Sequence, residues 1–489
     1  PDNTNEDNYV LQQFTRAVMG SNSINRLMTG AQAGVEDALA QSFGVGASPA
    51  GMQEMMTDAN SVLVIGPDIA KVSPVASYWL YWALRYREAT MIVMSEEHTP
   101  LAERSNHWLN VPAGVEADVI NAMARIIADA GLSDPDVDHS WIPEMDIDSV
   151  CDSAGLDRDA LQEAAILYAT GGQGIQAERD TYPASAIWYS FADQDNHPSQ
   201  KASLAAHNLA QLCGNIGEPG GGVLAIRKSA NMQGSLDVGC DPNYLPGGSP
   251  VTDEGARAAL EESWSARWAE PAITQNGFVQ LRELPTEPGA ELTSLVDAIE
   301  NGEITAMYVA AQSHHRGEDK DQFFTARGEG YFTGRPSSIF KPRYDTALVE
   351  ALGKLELLIV EDCFESELTE IADVVLPTAL YLEKDGTFTN FDRTVQRVRF
   401  AVPAPGEARS TYMHVAAIAE RLGYRIDATN PGMIFEEIAS FTPWYSGISY
   451  PRLERGGMQA PVESFGARQS IRLAPGEGLV PDEVQIVAG

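Results

Sequence analysis

"SVLVIGPDIAKVSPVASYWLYWALRY", residues 61 to 86, runs from a short apolar stretch through a Gly-Pro turn into an amphipathic segment. An apolar run of strand length that does not alternate with polar residues predicts a buried strand over 61 to 66, and the segment after the turn predicts a helix. "ATMIVMSEEHTPLAERSNHWLNVPAG", residues 89 to 114, repeats the plan with a strand over 91 to 94, and "EADVINAMARIIADAGL", residues 116 to 132, adds a clear helix. Strand, turn and helix alternating at this spacing predict βαβ units in a parallel, doubly wound sheet. A second series runs from "AMYVAA" (306 to 311) through the helical "YDTALVEALGKL" (344 to 355) to "ELLIVED" (356 to 362) and "EIADVVLPTA" (370 to 379). The two series are copies of one kind of architecture, without a short-period repeat.

With 489 residues, 44% of them hydrophobic, the chain exceeds what one core usually serves and predicts two or more α/β domains. No apolar run approaches bilayer length, and "PDNTNEDNYV" has neither a basic nor an apolar leader region, so any membrane link is expected to run through partners.

The 69 acidic residues against 33 basic ones, a net charge of −36, argue against nucleic acid and anionic membranes as partners. So much acid reads as a solvated surface tuned to a salty cytoplasm, or else as a docking face for a basic partner. Cys151, Cys213, Cys240 and Cys363 form no CxxC pair, so neither an iron–sulfur cluster nor a structural zinc is expected on this chain alone; each reads as a small buried apolar residue. The neighbours His314 and His315 would diverge on a helix or strand, which disfavours a metal pair.

Between the two series, residues 212 to 248 read "LCGNIGEPGGGVLAIRKSANMQGSLDVGCDPNYLPGG", too rich in glycine and polar residues for a helix or a central strand. Glycine at this density lets backbone amides approach a phosphate or a flat ring; a domain crossover uses the same composition.

Five stretches, in order, carry a resemblance: residues 4 to 25, "LCGNIGEPGGGV" (212 to 223), "ANMQGSLDVG" (230 to 239), "EIADVVLPTALYLEKDGTFTNFDRTVQRV" (370 to 398) and "PGEAR" (405 to 409). The chain resembles the molybdopterin oxidoreductase superfamily, with the formate dehydrogenase alpha subunit and the large iron–sulfur subunit of bacterial complex I as its nearest branches. The resemblance implies an α/β fold of two interleaved doubly wound, Rossmann-like domains. One would span 26–225, the other 1–25 together with 226–430, and 431–489 would form a C-terminal tail. The family's N-terminal iron–sulfur module and C-terminal β-barrel are expected to be missing.

Active members of that family hold molybdenum or tungsten between two pterin guanine dinucleotides, whose pyrophosphates and guanines call for arginines, amides and a carboxylate. The resemblance puts Arg227 beside the substrate. It puts Asn231, Gln233, Gly234 and Asp237 in one dinucleotide loop, and Gly386, Thr387, Asn390, Arg393, Gln396 and Arg397 in the loop touching the second pterin. The same residues would also serve to hold loop shape alone.

Other positions depart from the pattern. Met28 and Thr29 stand where the family has cysteine or selenocysteine followed by histidine, and neither supplies an anionic ligand or a proton shuttle. Ser95, Glu96 and Glu97 replace the triplet that reads a guanine ribose. Trp188, Tyr189 and Phe191 are expected to fill room the cofactor needs, and "AQSHHRG" (311 to 317) replaces a turn typical of the family.

These departures make a catalytically silent domain the expectation, with no cofactor on this chain and iron–sulfur clusters in a preceding region or in partner chains. It would belong to the peripheral-arm subunit of a respiratory NADH–quinone oxidoreductase, complex I. There it would shield the electron-transfer chain beside iron–sulfur and NADH-binding subunits, in the cytoplasm at the inner face of the membrane. The alternatives are a formate dehydrogenase alpha subunit with a Mo or W bis-pterin guanine dinucleotide, and an assembly or docking subunit of another redox complex.

Overall fold

A five-stranded parallel sheet organises the first half of the chain. The computed structural model describes residues 3–138, 141–176, 182–191, 197–227, 229–268, 283–310 and 346–462. Strands β1 (Ser61–Ile65), β2 (Thr90–Ser95), β3 (His107–Asn110), β4 (Ser185–Tyr189) and β5 (Gly222–Ala225) lie in the order β3-β2-β1-β4-β5. Side chains alternate across it. Leu63, Ile65, Ile92, Met94, Ile187 and Val223 face one core, and Val62, Val64, Met91, Val93, Ala186 and Leu224 face the other. Helices cover both faces, which explains why β1 and β2 read as continuous apolar runs. Since the chain moves outward from β1 to β2 and β3, then returns on the other side of β1 as β4, a crevice opens at the carboxyl ends of β1 and β4.

Strands β6 (Ala306–Ala310), β7 (Leu357–Asp362) and β8 (Val374–Pro377) form a second parallel sheet. A third, antiparallel sheet contains β9 (Gly386–Thr389), β10 (Thr394–Val398) and β11 (Met458–Gln459). The glycine-rich region holds more regular structure than its composition suggests. Its "GVLA" is apolar enough to add edge strand β5, and Met232–Asp237 forms a short helix. Among the described residues no helix is long and apolar enough to cross a membrane. His314, His315 and the rest of "AQSHHRG" lie outside the described residues.

Helix α1 (Asn5–Ala17) starts at a capping box between Thr4 and Asp7. It packs against the helices Thr411–Arg421 and Pro431–Phe441 and against β9. Its polar residues are buried with it. Asp7 pairs with Lys384 at 2.7 Å. Arg16 donates to the carbonyls of Gly239 and Asp241, both at 2.7 Å, and of Tyr244 at 2.8 Å. An arginine fork satisfies this many buried carbonyls where a lysine would leave some orphaned.

Candidate functional site

Several residues singled out from the sequence meet around the N-terminus of α1. Glu6 accepts from the Thr387 backbone at 2.8 Å, the Thr387 hydroxyl at 2.9 Å and the Tyr450 hydroxyl at 2.8 Å. Asn231 accepts from the Thr389 amide at 2.7 Å and donates to the Asn3 carbonyl at 2.7 Å. Asp237 accepts from Gln233 at 2.8 Å and from Tyr445 at 2.6 Å. Gly234 and Gly386 make this approach possible: a Cβ on Gly234 would lie 2.0 Å from Asn5 Oδ1, and one on Gly386 2.5 Å from Thr4 Cγ2. Burial outweighs the hydrogen bonds at Glu6 and pushes its carboxyl up to about 7.

The β9–β10 hairpin carries the remaining candidates of this group. The Arg393 amide donates to the Asn390 carbonyl at 2.8 Å, and Arg393 adopts a left-handed φ of 64°. Its side chain is buried and donates to the Pro49 carbonyl at 3.0 Å, while Nε and Nη1 have no partner. Arg397 is committed elsewhere: it lies 3.7 Å over the Tyr450 ring and pairs with Glu454 at 2.9 Å. Gln396 pairs with Phe388 in the hairpin register.

Arg227 follows β5 and sits in a second cluster that the sequence did not reveal. Its Nη1 donates to Glu36 at 2.7 Å and its Nη2 to the Gly46 carbonyl at 2.6 Å. Arg26 grips the same Glu36 through two bonds, at 2.8 and 2.7 Å, and reaches Asp241 at 3.1 Å. Burial disfavours the Glu36 charge, but the two guanidiniums overcome it and hold the carboxyl below its ordinary range. Arg26 and Glu36 lie ten positions apart but Arg227 comes from 191 positions beyond Glu36, so only their opposite charges could have suggested the cluster.

At the carboxyl ends of the first sheet, Gly66 has φ of 107°, and a Cβ there would lie 2.0 Å from the Ser190 carbonyl. Ser95 is buried and accepts from the Trp108 indole at 3.2 Å, whereas Glu96 and Glu97 point into solvent. The three aromatics do not act as one plug. Trp188 and Tyr189 alternate within β4, so Trp188 fills one core and Tyr189 the other, and only Phe191 stands past the strand end, stacked on His197 with centroids 4.4 Å apart. The Tyr189 hydroxyl meets His207 at 2.8 Å, and Ser42 meets the other ring nitrogen at 2.7 Å. Burial drives the His207 pKa down to about 3, which makes it a neutral core histidine.

Thr29 has a local role. As N-cap of α2 (Gly30–Phe43), its hydroxyl accepts from the Gln32 amide at 3.2 Å, and Gln32 reciprocates at 2.9 Å. Met28 is half-buried just before it. Among the described residues no group of three or more His, Cys, Asp or Glu side chains is placed to hold a metal ion. Cys151 and Cys240 are buried as expected, while Cys213 and Cys363 are only partly so.

The donor set at the hairpin fits an anionic group. Arg393 keeps two unpartnered nitrogens, Nε and Nη1, in a buried position, and Gln233 keeps an unpartnered oxygen beside Asp237. Asn231, Asp237 and Thr387 already have protein partners.

A profile of the family described as molybdopterin oxidoreductase matches residues 2–421. The chain belongs to the molybdopterin oxidoreductase family. Among its relatives in that family, the F420-dependent formate dehydrogenase subunit alpha of Methanocaldococcus jannaschii is 30% identical over 475 residues, covering 94% of this chain and 62% of that protein. The putative formate dehydrogenase YrhE of Bacillus subtilis is 28% identical over 468 residues, covering 92% of this chain and 42% of that protein. The chain thus spans less than two thirds of the length of these relatives. Acetylene hydratase from Pelobacter acetylenicus superposes with a TM-score of 0.56 at 18% identity, covering 89% of this chain and 55% of that one, which supports the fold alone.

Membership in the molybdopterin oxidoreductase family overturns the expectation that this chain binds no cofactor. That expectation weighed Met28, Thr29 and the aromatics of β4 too heavily. Thr29 serves a helix cap, and all three aromatics belong to the sheet's own cores. The names of the relatives support the formate dehydrogenase reading in place of the complex I one.

Proposed function

We propose that this chain is the pterin-holding part of an oxidoreductase of the formate dehydrogenase alpha kind. The observation that carries this reading is Arg393, a buried guanidinium with two unpartnered nitrogens on a hairpin fixed to α1. Arg393 would hold a phosphate of the cofactor by charge-assisted hydrogen bonds, Gln233 would accept from its base or pterin edge, and Asn390 would border it at the hairpin tip. When bound, the pterin and its metal ion supply the two-electron redox chemistry.

This chain contributes pre-organisation. Asn5, Glu6 and Asn231 fix β9 through Thr387 and Thr389, so that Arg393 needs no rearrangement to meet an anion. Arg227 is assigned to the substrate side of the same site. The chain is proposed to work beside iron–sulfur and electron-carrying subunits, in line with the word "subunit" in the name of its methanogen relative.

The test is molybdenum and tungsten by mass spectrometry, with pterin fluorescence after oxidative release, on the purified full-length protein. Two pterins per metal ion are expected. Their absence from preparations made in a host that supplies both would overturn the reading, and Arg393→Ala is expected to lower the pterin content.

A further inference from the structure

Glu36 and Arg227 form a contact whose chemistry reaches beyond holding the fold. Arg26 and Arg227 bring two positive charges and Glu36 and Asp241 two negative ones, so the cluster is already neutral. The side chains of Arg26 and Arg227 are 2% and 4% exposed, that of Glu36 10%. Glu36 has a bidentate partner in Arg26 and does not need Arg227 to be satisfied. Arg227 instead stands just past the carboxyl end of β5, the side of a parallel sheet where ligands bind. What fills its Nη1 position is a carboxylate oxygen, the same chemical group that a small carboxylate substrate would present.

We propose that Glu36 is a specificity-determining residue: it occupies the Arg227 guanidinium from inside the protein and thereby excludes small monoanions such as formate from it, so that the substrate of this chain differs from the formate its relatives are named for. This rests on the placement of Arg227 at the substrate side. An incoming monoanion would have to share Nη1 with Glu36 and give the buried cluster a net negative charge, where repulsion is little screened. With Glu36→Gln the remaining charges of Arg26, Arg227 and Asp241 sum to a single positive one, which a monoanion would balance. The amide would also release Arg227 from a charge-assisted hydrogen bond.

The experiment is calorimetric titration of the purified chain with sodium formate and with sodium azide, chloride serving as control, on wild type, Glu36→Gln, Arg227→Lys and the double variant. Metal content is recorded on the same samples, so a lack of metal counts against the pterin reading and leaves the titration to judge Glu36. Wild type is expected to show no saturable binding at millimolar formate, and Glu36→Gln to bind at least about tenfold more tightly, a gain lost when Arg227→Lys is added. Saturable binding to wild type that Arg227→Lys abolishes would overturn the proposal. So would a Glu36→Gln variant that binds no better than wild type, or a gain that survives Arg227→Lys. If Glu36→Gln does not fold, Glu36→Ala removes the same charge; it is expected to bind formate more tightly than wild type, and no gain there overturns the proposal.

Discussion

The Tyr445 hydroxyl donates to the Asp237 carboxylate at 2.6 Å, joining the glycine-rich loop to the far end of the chain. Both groups are buried, and the same hydroxyl lies 2.5 Å from that of Thr389. Replacing Tyr445 with Phe leaves Asp237 a single donor, Gln233, in a place where burial already pushes its carboxyl up. We expect Tyr445→Phe to lower stability by about 1 to 3 kcal/mol in urea unfolding, without a change in m-value.

Glu6 makes stability depend on pH. Its carboxyl is raised from 4.5 to about 7 chiefly by burial, so the folded state binds this proton more tightly than the unfolded chain does. The corresponding stability is complete below pH 4.5 and is lost as pH rises through 7. The loss amounts to about 3 kcal/mol. Glu6→Gln is expected to be less stable than wild type at acid pH, because an amide cannot accept all three hydrogen bonds, but to lack this decline. Parallel pH–stability curves for the two proteins would refute the assignment.

Thr29 is expected to behave as a helix cap. Thr29→Ala should destabilise by about 0.5 to 2 kcal/mol, and Thr29→Ser should restore most of that. Amide hydrogen exchange at the first turn of α2 should rise in the alanine variant alone.

At the carboxyl ends of β1 and β4, Gly66 packs closely against the Ser190 carbonyl. Gly66→Ala combines a left-handed φ with a Cβ 2.0 Å from that oxygen. A backbone conformation of this kind costs a non-glycine residue about 1 to 3 kcal/mol before the clash is counted. Thermal unfolding should therefore show a larger loss for Gly66→Ala than for alanine at Gly131, whose added Cβ meets nothing within 4 Å.

The fold was legible where residue order alone determines structure. The apolar runs at 61 to 66 and 91 to 94 became β1 and β2 because helices cover both faces, and "EADVINAMARIIAD" became the helix Glu116–Asp129. The site was legible only in part. Asn231 and Thr387, named from resemblance, bond to residues at the start of α1, but Glu6, which holds Thr387, and its neighbour Asp7 look in the sequence like ordinary acidic residues of a solvated first helical turn. Their burial depends on a hairpin some 380 residues away, as Thr387 and Glu6 are separated by 381 positions. The Glu36–Arg227 pair, 191 positions apart, was hidden for the same reason. Trp188 and Tyr189 misled as neighbours in sequence, because adjacent strand residues point to opposite faces.

The long reach of α1 also bears on how the protein is made. Asp7 pairs with Lys384, the Tyr412 amide donates to Asp7 at 3.0 Å, and Tyr450 donates to Glu6. During translation α1 leaves the ribosome well before these partners, which follow roughly 20 to 90 s later at ordinary elongation rates. Through that interval a helix made for a buried place is held in water, where its acidic first turn and Arg16 are well solvated and its Tyr9–Phe14 side is not. The first sheet, whose strands all lie within residues 61 to 225, is free to form while α1 waits. Completion of the second half is then a ring closure, in which a helix synthesised long before its partners finds its place only when they arrive.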